Sequence, residues 1–309
     1  MTKQAVLILA HGSRDPGARA EYRRLADEMA ARLPEVTVEF SVLEFGGDDL
    51  PSISEGMRQC AEAGAERVVA LPFFLFAAGH VREDLPGELR QAAGDRPGLR
   101  VAYQPPLGVD PRLLDVLGSR AAEAEQQLSG RASGPRALLL VGAGTSDADA
   151  NADVYRAARL LWERRRYELV EVGFVSLTEP TLAEALRRCR ALGAARVVVV
   201  PYFLSTGVLS RRIAARLEAY RREDAGLEIA LAGEMGLHPA LLDLLVKRAR
   251  RGLKSSADGL ALPPCAEGGE GWACWIERKS GSAGFKLRGR AREAAAGARP
   301  GAGSSLPDR

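Results

Sequence analysis

The chain contains nearly the same segment twice, and this duplication constrains its fold more than any other feature. Residues 64–75 have the sequence GAERVVALPFFL, and residues 193–204 have the sequence GAARVVVVPYFL. The run ending in His11-Gly12-Ser13 likewise corresponds to the run ending in Ala143-Gly144-Thr145. Because self-similarity at a long interval is typical of a repeated structural unit, the sequence predicts two related domains.

Within each repeat, short apolar runs alternate with amphipathic segments. The apolar runs predict strands at Val6–Ala10, Val36–Phe45, Arg67–Leu75, Leu99–Tyr103, Ala137–Val141, Leu169–Leu177, Arg196–Phe203 and Leu227–Ala232. The amphipathic segments predict helices at Gly17–Arg32, Ile53–Ala63, Arg82–Ala93, Arg112–Leu128, Ala150–Arg165, Thr181–Leu192, Ser210–Arg222 and Ala240–Arg250. This alternation predicts an α/β fold of two tandem flavodoxin-like domains, each with a four-stranded parallel sheet and helices on both faces.

A breaker-rich segment, residues 129–135, separates the two repeats. We therefore predict an N-terminal domain over residues 1–129 and a C-terminal domain over residues 136–252. Residues 253–309 form a Gly/Ala/Arg-rich tail, whose composition predicts that it is largely disordered.

Charge and cysteine content exclude several classes of protein. The net charge is only +3 over 309 residues, which gives no reason to expect binding to nucleic acid or to a membrane. No apolar run is long enough to cross a bilayer, and no signal-peptide pattern opens the chain, so we expect a cytoplasmic protein. Its four cysteines do not form a disulfide framework. We expect Cys60 and Cys189 to be buried in helices, whereas Cys265 and Cys274 leave metal or cluster binding open, without a standard zinc spacing.

The candidate site depends on two of the three histidines. His11 follows the first predicted strand and His80 follows the third, and the second repeat has no histidine at either position. In a sheet of strand order 2-1-3-4, these strand ends are neighbours at the point where ligands bind. Glu44, at the predicted end of the second strand, can join them. The alternative is that the histidines are hydrogen-bonded loop residues and that Glu44 is a solvated charge.

This set of side chains suits metal chemistry. Neutral imidazoles bind cobalt, nickel, iron or zinc, and they can also accept protons near neutral pH. We therefore predict His11 and His80 as metal ligands and, together with Glu44, as the catalytic residues. Arg14 and Arg82 could pair with carboxylates of an acidic ligand or could be solvated.

Two further polar positions have simpler interpretations. His238 precedes a proline at a helix start, so we expect it to cap that helix. The loop after Gly12 could receive an anion at a helix N-terminus, although turn and cap chemistry explains its composition as well.

Several of these segments together resemble the long-form sirohydrochlorin chelatases over about residues 4 to 252. The matching segments are His11-Gly12-Ser13-Arg14, Pro72-Phe73-Phe74-Leu75, Gly79-His80-Val81, Asp84-Leu85-Pro86 and, in the second repeat, Pro201 through Leu209. The resemblance implies two flavodoxin-like domains of the chelatase type that face each other across a cleft.

The resemblance also implies an activity, which is the insertion of Co²⁺ or Fe²⁺ into sirohydrochlorin, a tetrapyrrole that carries carboxylates. The active-site histidines of that family correspond to His11 and His80, and its acidic partner corresponds to Glu44. No tightly bound cofactor is expected, because the divalent metal is a substrate. The two-domain form with a tail favours cobalt insertion in cobalamin biosynthesis over iron insertion in siroheme biosynthesis, and the duplication favours a monomer. The second domain of the family often has an arginine where this chain has Ala143.

Two other functions fit the same residues. A histidine phosphatase would use His11 as a nucleophile, but such enzymes have an arginine directly before the histidine, where this chain has Ala10. A non-catalytic carrier of tetrapyrrole or metal would use the same crevice, and turnover distinguishes it from an enzyme.

Overall fold

The computed structural model describes residues 3–96, 98–128, 134–164, 166–224, 226–255 and 258–259. The first half contains β1 (Gln4–Ala10), α1 (Pro16–Arg32), β2 (Thr37–Val42), α2 (Ile53–Glu62), β3 (Arg67–Pro72), a π-helical turn (His80–Asp84), α3 (Leu85–Gly94), β4 (Arg100–Tyr103) and α4 (Pro111–Glu125). The second half contains β5 (Arg136–Gly142), α5 (Ala148–Glu163), β6 (Leu169–Phe174), α6 (Leu182–Ala191), β7 (Arg196–Pro201), α7 (Val208–Glu223), β8 (Glu228–Leu231) and α8 (Pro239–Lys254).

The strands form two parallel sheets with the predicted topology. Their orders are β2-β1-β3-β4 and β6-β5-β7-β8. The central strands are apolar almost throughout, as in Val6–Ala10, because helices cover both of their faces. The predicted fold class is therefore confirmed.

Three boundaries near the candidate site differ from the prediction. β2 ends at Val42, so the expectation that Glu44 ends this strand is wrong, and the backbone leaves the extended region at Phe45, where φ is 55°. β3 ends at Pro72, because the carbonyls of Phe74 and Leu75 accept hydrogen bonds from a loop, not from a strand. The helix predicted from Arg82 begins earlier, with the π-helical turn.

The sheets share one central hydrophobic core. Side chains on the inner face of the first sheet, such as Ile8 and Leu71, belong to the same buried cluster as Leu140 and Val200 of the second sheet. Each outer face has its own smaller core, beneath α2 and α3 in the first half and beneath α6 and α7 in the second.

The last helix of each half packs against the sheet of the other half. α4 packs against β7 and β8, whereas α8 packs against β3 and α1. The division of the sequence at residues 129–136 stays a prediction, but the packing shows that neither half completes its core without a helix from the other.

The chain after α8 returns to the first sheet. α8 continues to Lys254, past the predicted domain end, and Asp258 then pairs with the buried Arg67. Gly259 bridges to Ala102 of β4. The cysteines at 265 and 274 and the predicted disorder of residues 260–309 lie outside the described residues.

The interpretation of the first two cysteines is confirmed. Cys60 and Cys189 are free and fully buried, and burial raises the pKa of each thiol to about 12. None of the described helices is long and apolar enough to cross a membrane.

Candidate active site

His11, Glu44 and His80 come together just beyond the carboxyl ends of β1, β2 and β3. One possible ligand atom from each lies within 4.8 Å of the others. The imidazole centroids of His11 and His80 are 4.8 Å apart, with the rings at 73°. Both histidines are partly buried and Glu44 is exposed, so the cluster is accessible from solvent. We call these three residues the triad.

A glycine allows the two loops of the triad to approach each other. Gly12 has a φ of 95°, and a Cβ atom there would lie 1.8 Å from the carbonyl oxygen of Glu44. The backbone N–H of Glu44 donates to the carbonyl of His11 over 2.8 Å. Only glycine fits this close contact, which brings the Glu44 backbone beside His11.

Arg19 of α1 ties the same two loops together from the side. Its guanidinium donates to the carbonyl of Ser13 over 3.0 Å and to that of Phe45 over 2.6 Å, and it forms an ion pair with Asp49. Arg19 is not identifiable from the sequence, because its helical position alone gives no sign of these partners.

His80 is the first residue of the π-helical turn. Its Nδ1 atom lies 2.6 Å from Oδ2 of Asp84. The buried Tyr103 hydroxyl of β4 donates to the carbonyl of Val81 over 2.8 Å, which holds the turn against the sheet. π-helical turns are rare and occur frequently at functional sites.

A cleft of about 630 Å³ opens beside the triad, between the two halves. His11 lines its edge. The larger part of its wall is aromatic or aliphatic and comes from both halves: Tyr22, Phe45, Phe73, Phe74, Leu75, Phe76, Val154, Tyr202, Phe203, Leu204, Val208 and Leu209. Small polar side chains complete the wall: Ser13, Thr145, Asn151, Ser205, Thr206 and Ser210.

Among the described residues of the wall, only Arg14 carries a permanent charge. Its guanidinium carbon lies 4.6 Å from the centroid of the Phe45 ring, a cation–π contact. No carboxylate in the described part of the chain forms an ion pair with Arg14. An apolar cleft with one unpaired cation favours a flat apolar ligand that carries an acidic group.

Arg82, the other arginine considered near the crevice, has a different role. It donates to Asp147 at the N-terminus of α5 over 2.9 Å. In a second ion pair the arginine comes from the second half: Arg211 of α7 pairs with Asp15 at the N-terminus of α1. These two pairs connect the halves.

The capping interpretations are confirmed in the loops beside the cleft. Asp15 accepts from the N–H of Ala18 and so caps α1. The hydrogen bond from Arg211, followed by the one from Ala18, lowers the pKa of the Asp15 carboxyl. The N-terminus of α1 is thus occupied by a carboxylate of the chain. His238 likewise accepts from the N–H of Ala240 and caps α8.

The second half repeats the backbone of the site without its ligands. Ala143 stands at the position of His11, and its carbonyl accepts from the N–H of Ser176 over 3.0 Å, as His11 accepts from Glu44. Gly144 has a φ of 85° and makes the same close approach as Gly12. Among the described residues, the duplicated loops therefore bring possible metal ligands together only in the first half.

A comparison with known protein families agrees with the duplication. The CbiX family model matches residues 5–124 and, a second time, residues 137–252. The chain belongs to the CbiX family. The family resemblance found in the sequence is therefore confirmed.

Two curated relatives from Priestia megaterium cover most of the chain. A sirohydrochlorin cobaltochelatase is 37% identical over 81% of this chain and 80% of its own length. A sirohydrochlorin ferrochelatase is 29% identical over 82% of this chain and 92% of its own length. Among solved structures, SirB from Bacillus subtilis with Fe³⁺ is 26% identical, with a TM-score of 0.71 over 82% of this chain and 97% of that one.

Proposed function

We propose that this protein is a sirohydrochlorin chelatase, a metal-inserting enzyme that places Co²⁺ into sirohydrochlorin, with Fe²⁺ as the alternative metal. One observation carries the proposal: a cluster of His11, Glu44 and His80 at the edge of an apolar cleft. Family membership and the named activities of the relatives point the same way.

The triad suits a metal that must be released again. Two atoms bound to one ion at about 2.1 Å each lie no more than about 4.2 Å apart. The triad atoms lie within 4.8 Å of one another, so a small closure completes the coordination. Three protein ligands leave other positions open, where the nitrogens of the tetrapyrrole can replace the protein ligands one by one.

The same residues can complete the proton balance of insertion. The ring loses two pyrrolic protons when it binds a divalent metal. As the metal moves from the triad to the ring, the nitrogen and oxygen atoms that it leaves become bases close to the pyrroles. His11, His80 and Glu44 would then receive these protons and pass them to solvent, to which the cluster is open.

The cleft provides the platform for the tetrapyrrole. Its apolar wall would cover the ring faces, and Arg14 would pair with a carboxylate of the substrate. Because both halves contribute to the wall, one chain builds the complete cleft, and we propose that it acts as a monomer.

Cobalt is the favoured metal. The relative named for cobalt insertion is 37% identical, against 29% for the one named for iron insertion. Imidazole and carboxylate ligands accept both metals, so the ratio of rates decides between them.

An anaerobic absorbance assay tests the proposal, with sirohydrochlorin, either metal, and metal without protein as the blank. We expect multiple turnovers above the blank, with Co²⁺ faster than Fe²⁺. His11→Ala and His80→Ala should each lose most of the activity and remain folded, since neither side chain belongs to the core. His238→Ala is the matched control, because it removes a histidine that caps α8 outside the site.

Other outcomes would assign other functions. A single stoichiometric transfer without further turnover would indicate a carrier. Near-normal turnover in both triad variants would contradict the proposed site.

A further inference from the structure

Asp84 lies beside the triad and is not one of its three residues. It lies four residues after His80, at the other end of the π-helical turn. Its Oδ2 atom is 2.6 Å from Nδ1 of His80. About half of the Asp84 side chain is exposed (52%), so the carboxylate has no structural task in the core.

The contact determines which ring nitrogen of His80 faces the metal. An ionised carboxylate only accepts hydrogen bonds, so Nδ1 of His80 must carry the proton. In the neutral ring, Nε2 then has a free lone pair. Since Nδ1 is occupied by Asp84, Nε2 is the ligand atom that His80 can offer to the triad.

The second half lacks this pair although it keeps the fold around it. Gly207 and Val208 correspond to Gly79 and His80, and the position four residues after Val208 is Arg212. Helix α7 begins there as a regular α-helix, without a π-helical turn. The carboxylate, the histidine and the turn thus occur together, in the half that holds the triad.

We propose that Asp84 is a positioning residue for metal insertion. It holds His80 in the tautomer with the proton on Nδ1 and orients Nε2 toward the metal. Carboxylates in such positions make the ligating histidine more basic and fix the orientation of its ring. The inference rests on the proposed function, since it presumes that His80 binds the metal.

Anaerobic Co²⁺ titration of the full chain, followed by its visible absorption, tests the effect on metal binding. We expect Asp84→Ala to weaken Co²⁺ binding by about 10-fold to 100-fold. Asp84→Asn keeps an acceptor oxygen without the charge and should lose less. Glu83→Gln is the matched control, because it removes an exposed carboxylate one residue away and should bind Co²⁺ like the wild type.

Two further readouts separate positioning from a general structural effect. In a His80→Ala background, Asp84→Ala should cause no additional loss of Co²⁺ affinity. In the metal-free protein, ¹⁵N spectra of the histidine rings should show the Nδ1–H tautomer of His80 in the wild type and a shift toward Nε2–H in Asp84→Ala. Unchanged Co²⁺ affinity in Asp84→Ala, an equal loss without His80, or an unchanged tautomer would overturn the inference.

These outcomes are distinct from failure of the proposed function. If the wild type binds Co²⁺ at the triad but does not insert it, the proposed activity fails while the role of Asp84 in metal binding stands. If the chelatase assay succeeds and Asp84→Ala behaves as the wild type in all three readouts, only the inference about Asp84 fails.

Discussion

At the residue scale, the two halves have the same loop backbone and differ in the side chains that it carries. The loop containing Gly12 has the same close approach as the loop containing Gly144, yet only the first carries a side chain that could bind a metal, His11. The identity of three side chains, rather than the backbone geometry, therefore distinguishes the half that could hold a metal ion.

One buried carboxylate makes a testable contribution to stability. Glu21 of α1 is buried at the junction of the halves, where it accepts from the N–H of Thr206 over 3.4 Å. Burial raises the pKa of Glu21 above its usual range. The folded state therefore binds this proton more tightly than the unfolded state, and stability falls as the pH rises from the unfolded pKa through the folded pKa.

We expect Glu21→Gln to raise the melting temperature at pH 8 by about 2 °C and to have little effect near pH 4.5. At pH 8 the wild type carries the full cost of a buried charge, and at low pH its carboxyl is protonated. Thermal unfolding followed by circular dichroism at both pH values measures this. Asp27→Asn, exposed on the same helix, is the control, and an equal shift at the two pH values would contradict the assignment.

At the scale of elements, the β1–α1 loop and its counterpart in the second half, the β5–α5 loop, are braced differently. In the first half, Arg19 connects this loop to the β2–α2 loop through Ser13 and Phe45. In the second half, the Asn151 side chain contacts the β5–α5 loop and not the loop that follows β6, exchanging hydrogen bonds of 3.1 and 2.7 Å with the backbone of Thr145. The first brace joins the loop of His11 to the loop of Glu44.

Arg19→Ala should therefore weaken Co²⁺ binding at the triad by about ten-fold, because Glu44 loses its fixed position relative to His11. Asn151→Ala removes the matching brace where no ligand exists, and Co²⁺ affinity should stay at the wild-type value. Titration of both variants with Co²⁺ makes the comparison. An equal loss in the two variants would show that bracing in general, not the position of Glu44, controls affinity.

At the scale of the whole molecule, the halves form one structure around a shared core. α4 and α8 cross between the sheets, and ion pairs cross in both directions, from Arg82 to Asp147 and from Arg211 to Asp15. The cleft lies along this junction, so its shape depends on both halves.

The sequence was sufficient to predict the sheets and to bring the triad together. Buried parallel strands have almost entirely apolar sequences, and the strand order follows from a common α/β topology. His11 and His80 stand directly after such strands, so their meeting follows from topology. Glu44 lies beside the two histidines although β2 ends at Val42. It is only two residues beyond the strand, and its N–H still donates to the carbonyl of His11.

Other features depend on tertiary placement that no local pattern encodes. Arg19, Arg82 and Arg211 are three of many helical arginines, and only the packed structure shows their partners. α4 and α8 each pack against the sheet of the other half. Their sequences have an ordinary amphipathic pattern, which does not show which sheet the helix covers. The π-helical turn at His80 also has no propensity signal, which is why the helix was predicted to begin at Arg82.

In the proposed mechanism, the metal held by the triad is the metal that enters the ring. A single-turnover experiment tests it: protein loaded anaerobically with one equivalent of Co²⁺ is mixed with sirohydrochlorin, and both absorption spectra are followed. We expect the signal of protein-bound Co²⁺ to decay with the same rate constant as the product spectrum rises. Product that forms while the bound Co²⁺ signal persists would contradict it.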